Sequence, residues 1–369
     1  MDIGNRLKYA REMAGLTLET VAEKTRIGVS SLSDYENGKR EPKIRLLQEL
    51  GKVYMRSLSF FLSEDSFPRE LILWRKKPET PVAEEVEGKF RRLCEQYHNL
   101  EMWCNDTKPY RIYREVGSAE IYGYGDAEHL ASEIRKQLQL GERPAMSLLQ
   151  VLEEVCHIKV FHLDFQPTGC AACSVSDSYG MAILLNRNSV RWRRNFDLAH
   201  ELFHLLTWDI FREGCDGMVD FPNEKEEKLA TCFARNLLMP LEVIKGVVNS
   251  VLQKGKVEYS VLFSIARQFD VSTEALLWHL HFLYQREEEK TETDIKTCHV
   301  LSSIYEDRLH DDSPPVLPER FCALAITALR SGEMSVGRFA EYMMMSRREA
   351  QRFVEKESAE NEEVEITPA

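Results

Sequence analysis

The sequence predicts a multidomain protein with an all-α domain at the N-terminus, a central α+β domain and a small α-helical module at the C-terminus. Three observations predict this order. Residues 3–62 contain a series of short helical patterns, strand-like runs follow at 158–162 and 182–185, and helical spacing returns after residue 319. At 369 residues the chain is long enough for two or three such domains.

We expect the first domain to span residues 1–66 and the central domain residues 106–286. Residues 67–105 are predicted to be a linker and an amphipathic helix from Val82 to about Cys104, whose apolar stripe either pairs in a dimer or lies across the central domain. Residues 287–369 are predicted to be a charged spacer, a helical module of three helices and a disordered tail. The module is expected to pack on the central domain or to make a dimer contact.

Composition limits the functional classes. The formal net charge is −12, but residues 1–56 contain 11 Lys and Arg against 8 Asp and Glu, so only this end attracts a polyanion. No apolar run reaches the roughly 18 residues of a membrane span, and nothing resembles a signal peptide. The 9 scattered cysteines are expected to be reduced thiols. We therefore expect a cytoplasmic protein without a membrane partner.

The N-terminal helices carry a turn and an ending that indicate a DNA-binding fold. Thr17 is a predicted helix cap, and Arg26-Ile27-Gly28 forms a tight turn before the next helix. The predicted core contains small and aliphatic side chains, namely Ala22, Ile27, Leu32, Leu46 and Leu50. With the ending Tyr35-Glu-Asn-Gly-Lys-Arg-Glu-Pro42, this region resembles the XRE-type (lambda-repressor-like) helix-turn-helix domain.

The resemblance implies that the third helix enters the major groove of a double-stranded DNA operator. Four of its residues would then reach base edges: Val29, Ser30, Ser33 and Asp34. Four further residues would meet phosphate: Arg6, Asn37, Lys39 and Arg40. Short hydroxyl side chains make few strong base contacts, so a homodimer is expected. The alternative is a helix-turn-helix that has become a protein-docking module.

Residues 200–204 read His-Glu-Leu-Phe-His inside an apolar helical run. Positions i and i+4 share one face of a helix, so His200 and His204 can bind one Zn²⁺, with Glu201 placed as general base. Downstream, Glu227 keeps register with a face of small residues, which makes it the predicted third ligand, ahead of Glu224 and Glu226. Two His and one Glu form a catalytic rather than a closed structural zinc site.

These two segments, A-H-E-L-x-H-L and E-x-x-A-x-x-F-A-x-x-L-L-M-P, resemble the ImmA/IrrE family of bacterial and phage zinc metallopeptidases over roughly residues 106–286. The resemblance implies an α+β zincin-like metallopeptidase domain. It also implies that the substrate is a helix-turn-helix repressor, cut in response to DNA damage or another stress. A bacterial, phage or mobile-element origin is expected on the same grounds.

Three functional hypotheses remain open. In the first, a DNA-bound regulator is also a protease that cuts its own Lys76–Pro81 linker, a second copy or a separate repressor. In the second, a non-proteolytic zinc-bearing repressor senses a ligand or partner in its cleft. Glu201 favours the first, because a structural zinc needs no general base. A third hypothesis is the antitoxin half of a two-component locus.

Two cysteines and three further side chains complete the candidate residues. Cys170 and Cys173 precede the metal helix and are hypothetical regulatory thiols, one of which would occupy the open zinc position until oxidised. The opposing interpretation is that they are two small buried residues. Tyr179, His279 and His281 are candidates for stabilising the oxyanion by residue type only.

Overall fold

The computed structural model describes residues 3–13, 16–54, 56, 58–62, 70–79, 82–107, 112, 114–176, 179–212, 222–252, 255–305 and 313–359. The N-terminal region is helical, as predicted, with α1 (Ile3–Met13), α2 (Leu18–Thr25), α3 (Val29–Glu36), α4 (Ile44–Tyr54) and α5 (Leu58–Leu62). Thr17 caps α2 by accepting a hydrogen bond from the Thr20 N–H. Leu32 and Leu50 are buried as predicted, whereas Ala22, Ile27 and Leu46 are partly buried at the edge of this core.

A four-stranded sheet forms the centre of the second domain. Its strands are β1 (Glu70–Trp74), β2 (Lys159–Leu163), β3 (Ala171–Ser176) and β4 (Gly180–Asn186), in the order β1-β3-β4-β2. Strand β3 is antiparallel to both of its neighbours, and β2 is parallel to β4. Two strands, β2 and β4, were predicted. The residues of β1 were assigned to a linker, but they pair with β3 and belong to this sheet.

Helix α6 (Val82–Trp103) covers one face of the sheet. Its apolar stripe packs on the sheet residue Phe161, and the ring of Tyr97 lies 6.0 Å from the Phe161 ring. Of the two expectations for this helix, the structure therefore shows the one in which it lies across the central domain. Arg56 of the N-terminal region forms an ion pair with Glu95 on α6.

The opposite face of the sheet is covered by helices that follow in chain order. These are α7 (Tyr124–Gln137), α8 (Leu148–Glu154), α9 (Arg191–Leu206), α10 (Trp208–Arg212), α11 (Glu224–Leu238), α12 (Leu241–Val251), α13 (Tyr259–Phe269) and α14 (Thr273–Tyr284), with a short 3₁₀ helix at Pro144–Met146. Their buried side chains form one continuous core with the same face of the sheet. Helices α9 and α11 lie against each other in this layer.

The C-terminal region differs from its prediction at one point. The segment expected to be a charged spacer forms α15 (Glu288–Tyr305), whose Asp294 accepts hydrogen bonds from Tyr259 and Arg286. It is followed by α16 (Glu319–Arg330), α17 (Val336–Tyr342) and α18 (Arg347–Ala359). Within the described ranges, no helix is both long and apolar enough to cross a membrane. The tail from residue 360 onwards lies outside the described residues.

Candidate metal centre

The turn between β4 and α9 fixes the start of α9, the helix that carries His200 and His204. Asn186, the last residue of β4, donates from Nδ2 to the carbonyl oxygens of Phe165 and Pro167, each at 3.0 Å. Its Oδ1 accepts from the N–H of Asn188, also at 3.0 Å. The buried amide therefore satisfies backbone groups on both sides of the turn and sets the direction in which α9 leaves the sheet.

His200 and His204 meet as the helical spacing predicts. Their Nε2 atoms are 3.2 Å apart, and both rings are buried. The carboxylate of Glu227 on α11 completes the group, with Oε2 at 3.3 Å from His200 Nε2 and Oε1 at 3.3 Å from His204 Nε2. Three ligand atoms bonded at about 2.0–2.1 Å to one tetrahedral ion would be roughly 3.3 Å apart. The donor set and its spacing therefore fit Zn²⁺.

Helix α11 brings Glu227 to the histidines because its contact face carries small residues. Ala230 and Ala234 are fully buried against the α9 layer, which allows the two helices to approach closely. Asn223 caps α11 by accepting from the Glu226 N–H at 2.9 Å. Within the described residues, the group that can hold a metal ion consists of His200, His204 and Glu227.

Glu226 supports the site, although it was considered only as a rival ligand. Its Oε1 lies 2.8 Å from Nδ1 of His204, and Arg212 donates to both of its oxygens at 2.8 and 3.0 Å. An ionised carboxylate only accepts, so Nδ1 of His204 carries a proton and Nε2 faces the ligand group. The Arg212 guanidinium and His204 together lower the pKa of Glu226 despite its burial.

Glu201 is completely buried beside the metal ligands. In the described part of the chain, neither of its carboxylate oxygens has a partner at hydrogen-bond geometry. Burial raises the pKa of Glu201 to about 8. A buried carboxyl group is costly to the fold, and a buried position with a raised pKa makes Glu201 a candidate functional residue.

The two histidines have opposite electrostatic environments. Burial, together with the nearby Arg75, lowers the pKa of His200 to about 3, so this ring is neutral, as a metal ligand must be. Burial also opposes the charge on His204, but hydrogen bonds to Glu226 and Glu227 outweigh it and raise its pKa to about 9. The carboxylates of Glu226 and Glu227 are both ionised, and their negative charge favours a bound cation.

An ion pair from β1 reaches the same helix. Arg75, just after β1, pairs with Asp197, which lies one turn before Glu201 on α9. Asp197 is only 1% exposed, and Arg193 also contacts it, at 3.0 Å. Sequence reasoning missed this pair, because its partners are 122 residues apart and share no periodic pattern.

The two candidate thiols lie on different faces of the sheet. They are three positions apart on an extended segment, so Cys173 belongs to the core shared with α9 and α11, and Cys170 to the core shared with α6. Cys173 lies next to Glu201, and burial and that carboxylate raise its thiol pKa well above the ordinary value. Neither cysteine is part of the three-residue ligand group. A raised pKa opposes the thiolate form that binds zinc.

None of the three oxyanion candidates is brought to the ligands by a described contact. Tyr179 bonds with Ser174 at 2.9 Å and belongs to the core on the α6 side of the sheet. His281 contacts Thr291, with Nδ1 at 3.3 Å from the hydroxyl. His279 is buried near Arg235, and burial lowers its pKa to about 4.

Comparison with known proteins agrees with both regions. Residues 7–61 match the family model described as Helix-turn-helix, and residues 126–281 match that of the IrrE N-terminal-like domain, a Peptidase_M78 model. The chain joins a helix-turn-helix domain to an ImmA/IrrE-type domain. The second match contains all three candidate ligands and Glu201, and it supports a metallopeptidase-like enzyme.

One curated relative extends the comparison. The HTH-type transcriptional regulator ImmR of Bacillus subtilis (strain 168) is 39% identical over 70 residues. This aligned stretch is 19% of the present chain and 55% of ImmR, so the chain spans about half the length of that relative.

The helix-turn-helix domain exposes most of the residues expected to contact DNA. Val29 and Ser30 are exposed at the start of α3, while Ser33 and Asp34 are half-buried. Exposed residues after α3 include Asn37, Lys39 and Arg40. The expectation for Arg6 was wrong. This side chain is buried, donates to the Phe60 carbonyl at 2.8 Å and lies over the Phe60 ring, so it holds α1 to α5 and does not reach a phosphate.

Proposed function

We propose that this protein is a DNA-binding transcriptional regulator carrying a zinc-dependent endopeptidase, and that cleavage of a helix-turn-helix repressor relieves repression. The observation that carries the proposal is the placement of Glu201 beside three ligand atoms that lie within 4.8 Å of one another. A closed structural zinc site would use a fourth protein ligand and would have no role for Glu201.

The residues take separate roles in this proposal. His200, His204 and Glu227 would hold the ion, and Glu226 fixes the orientation of the His204 ring. A bound Zn²⁺ supplies polarisation of the scissile carbonyl and a lowered pKa for a water molecule, about 7 in comparable sites. Glu201 accepts the proton of that water and transfers it to the leaving amine. Burial raises the pKa of Glu201, and the positive charge of a bound Zn²⁺ would oppose this and favour the ionised carboxylate that accepts a proton.

The contacts of residues 70–79 bear on which protein is cut. The expected cleavage segment Lys76–Pro81 follows β1, and its last two residues lie outside the described residues. Lys77 forms an ion pair with Glu87 on α6 at 3.0 Å, and Pro78 is buried. An ordered segment that pairs in this way must detach before it can enter a catalytic site. These contacts support a substrate in trans, either a second copy or a separate repressor.

The DNA-binding half of the proposal rests on the helix-turn-helix domain and the exposed residues of α3. A homodimer on a double-stranded operator would compensate for the weak contacts of Val29, Ser30 and Ser33. We propose that stress such as DNA damage triggers cleavage, since a protease joined to a repressor must be latent while repression is needed. Cytoplasmic localisation is part of the same proposal.

A cleavage assay with isotopic labelling tests the proposal. Unlabelled zinc-loaded wild-type chain is mixed with ¹⁵N-labelled Glu201→Gln chain, and intact masses are followed with and without single-stranded DNA, oxidant and a host lysate. Labelled fragments show cleavage in trans, and unlabelled fragments alone show cleavage in cis. Glu224→Gln is the matched control, because Glu224 is exposed on α11 and pairs with Lys228.

The proposal predicts fragments from wild type and from Glu224→Gln under at least one of the stimulated conditions, and none under any condition with Glu201→Gln alone. If no condition yields fragments, and Glu201→Gln leaves DNA binding unchanged, the peptidase half is wrong. The second hypothesis, a non-proteolytic zinc-bearing repressor whose cleft senses a ligand or partner, would then replace it.

A further inference from the structure

The three C-terminal helices form a compact unit whose connections are specific. Ser335 caps α17 by accepting from the Arg338 N–H at 3.3 Å. Four residues then connect α17 to α18, and among them Met344 has a φ of 53°, in the left-handed region that non-glycine residues seldom adopt. Ser346 and Glu349 cap α18 reciprocally, through hydrogen bonds of 2.7 and 3.2 Å. Two short helices joined by a turn of this length are typical of a helix-turn-helix.

The N-terminal domain has the same plan at an offset of 318 residues. Thr17 caps α2 as Ser335 caps α17, and Arg26, with a φ of 59°, corresponds to Met344. At this offset, the segment from α1 to α3 aligns with the segment from α16 to α18 without a gap. Buried residues pair at this offset in all three helices: Leu7 with Ala325, Ala10 with Ala328, Val21 with Phe339 and Leu32 with Ala350.

We infer that residues 319–356 form a second helix-turn-helix, and that the exposed face of α18 binds double-stranded DNA in the major groove. The inference does not depend on the peptidase, because it concerns a surface on the other side of the sheet from Glu201. It differs from the expectation that this module only packs on the central domain or makes a dimer contact.

Some positions of α18 correspond to those of α3 that are expected to contact bases, and we call them the reading positions. Their side chains favour DNA as the partner of α18. The positions expected to reach base edges in α3 are Val29, Ser30, Ser33 and Asp34, and the same offset places Arg347, Arg348, Gln351 and Arg352 there in α18. All four are exposed. Arginine forms paired hydrogen bonds with guanine, and glutamine does so with adenine, whereas short hydroxyl side chains give weaker discrimination.

Charge supports the same occupant. Residues 346–356 contain four basic and two acidic side chains, although the whole chain has a formal net charge of −12. The basic side chains stand on the solvent side of α18, since Ala350 is buried and the Phe353 ring stacks on the Phe339 ring, 5.4 Å away. A basic helix face on an acidic protein attracts phosphate more than it attracts a typical acidic protein surface.

The C-terminal three-helix unit is fixed to the central domain through α16, and α18 remains exposed to solvent. Helix α16 packs on α6, where the Phe321 ring contacts the Tyr97 ring at 5.4 Å. Beside this contact, Glu101 on α6 accepts from Arg320 at 2.6 Å and from the buried Lys159 at 2.8 Å. These contacts fix the first helix of the unit to the central domain and leave the reading face of α18 outside the interface.

Selection and binding experiments on the full zinc-loaded chain test the inference. The probe is a pool of fluorescein-labelled 40-base-pair duplexes with a random 20-base-pair centre, from which bound sequences are enriched and then measured by anisotropy from about 0.05 to 0.3 M salt. The test variant is R347A/R348A/R352A. The matched control, K136A/K290A/K296A, removes three exposed positive charges elsewhere.

We expect the test variant to bind the sequences enriched by wild type roughly tenfold or more weakly at about 0.1 M salt, with a smaller salt slope. The control should behave like wild type. The variant R347K/R348K/R352K should keep most of the salt slope but enrich different sequences, because lysine retains the charge without the paired donors.

Two results would overturn the inference. One is equal affinity, salt slope and enriched sequence for the test variant and its control. The other is an unchanged DNA profile combined with a change in self-association, measured by sedimentation, which would assign this face to a protein partner. Circular dichroism melts of all variants exclude loss of folding as the cause.

Discussion

At the scale of single residues, Glu226 lies outside the group of His200, His204 and Glu227 but orients one of its members, His204. It bonds to Nδ1 of His204 and to both terminal nitrogens of Arg212. Without this acceptor, His204 loses the contact that fixes its tautomer and orientation. We therefore expect metal binding to depend on Glu226, although this carboxylate lies outside the candidate ligand group.

Glu226→Gln should weaken zinc binding by about 10- to 100-fold, because an amide replaces the carboxylate that fixes His204. Competition with a chromogenic zinc chelator measures the change. Glu224→Gln is the control on the same helix, since Glu224 is 84% exposed and pairs only with Lys228 in its described ion pairs. Equal zinc affinity in the two variants would contradict the role assigned to Glu226.

Contacts between residues close in the sequence could be predicted, whereas contacts between distant segments could not. His200 and His204 are four positions apart in one helix, so the helical repeat alone brings them together. Glu227 could be chosen because small residues on its helix face predict a close helix contact. Arg75 could not be found, because its partner lies on a distant segment and a lone arginine after a short strand gives no pattern. The burial of Arg6 was also beyond the sequence, since an arginine in a short helix is usually exposed.

At the scale of elements, the ion pair between Arg75 and Asp197 connects the end of β1 to the metal helix. Asp197 is buried, so removal of Arg75 leaves a buried carboxylate whose remaining described partner is Arg193, a half-exposed side chain. Breaking a buried pair in this way costs more than breaking a surface pair, because the remaining charge has lost its solvent.

Arg75→Ala should lower the free energy of unfolding by about 2 to 3 kcal/mol. Arg193→Ala is the matched control and should cost less than about 1 kcal/mol, because Arg193 is 41% exposed. Urea denaturation followed by tryptophan fluorescence measures both. In a double-mutant cycle, Asp197→Asn should recover much of the loss caused by Arg75→Ala, and additive effects would argue against the pair.

Glu153 on α8 lies close enough to Glu319 on α16 for the two carboxyl groups to repel each other. Burial, Glu319 and Glu154 raise its pKa from 4.5 to about 8. Between these values the folded chain holds a proton that the unfolded chain has released. The free energy of unfolding therefore falls as the pH rises from about 4.5 to about 8, and the penalty is complete above that range.

Glu153→Gln should remove this part of the pH dependence, which amounts to at most about 1.4 kcal/mol per pH unit. The variant should match wild type near pH 4 and be clearly more stable at pH 8, as measured by denaturation midpoints at several pH values. Glu142→Gln is the control, because Glu142 is exposed and is not among the groups that raise the pKa of Glu153. A constant difference between Glu153→Gln and wild type across the range would contradict the raised pKa.

Several elements could be predicted because they are long or strongly patterned. The helix from Val82, the α9 and α11 pair and three C-terminal helices all have clear 3.6-residue spacing. Strand β1 is a short apolar run directly before the linker signal at Lys76–Pro81, and its place in the sheet depends on pairing with β3, a distant segment of the chain. The proposed second helix-turn-helix could not be recognised from the sequence, because residues 319–356 have no ending like Tyr35-Glu-Asn-Gly-Lys-Arg-Glu-Pro42, on which the N-terminal resemblance rests.

At the scale of the whole molecule, charge is divided in a way that bears on DNA binding. The formal net charge is −12, yet residues 1–56 are basic overall, and so are residues 346–356. The rest of the chain therefore repels DNA and confines its approach to these two regions. Beyond α18, residues 360–369 contain four glutamates and no basic residue. We expect these four carboxylates, which follow α18 directly in the sequence, to weaken its attraction for phosphate.

Replacing those glutamates, in E360Q/E362Q/E363Q/E365Q, should strengthen binding to duplex DNA at about 0.05 M salt. The gain should shrink as salt rises, because the Debye length falls from about 10 Å at 0.1 M towards about 3 Å at 1 M. Anisotropy titrations across this range measure it. The control E242Q/E288Q/E289Q/E292Q removes the same number of negative charges from exposed positions on α12 and α15. Equal gains in both variants would mean that net charge alone acts, whereas a gain specific to the tail, lost when R347A/R348A/R352A is added, would place the competition at α18.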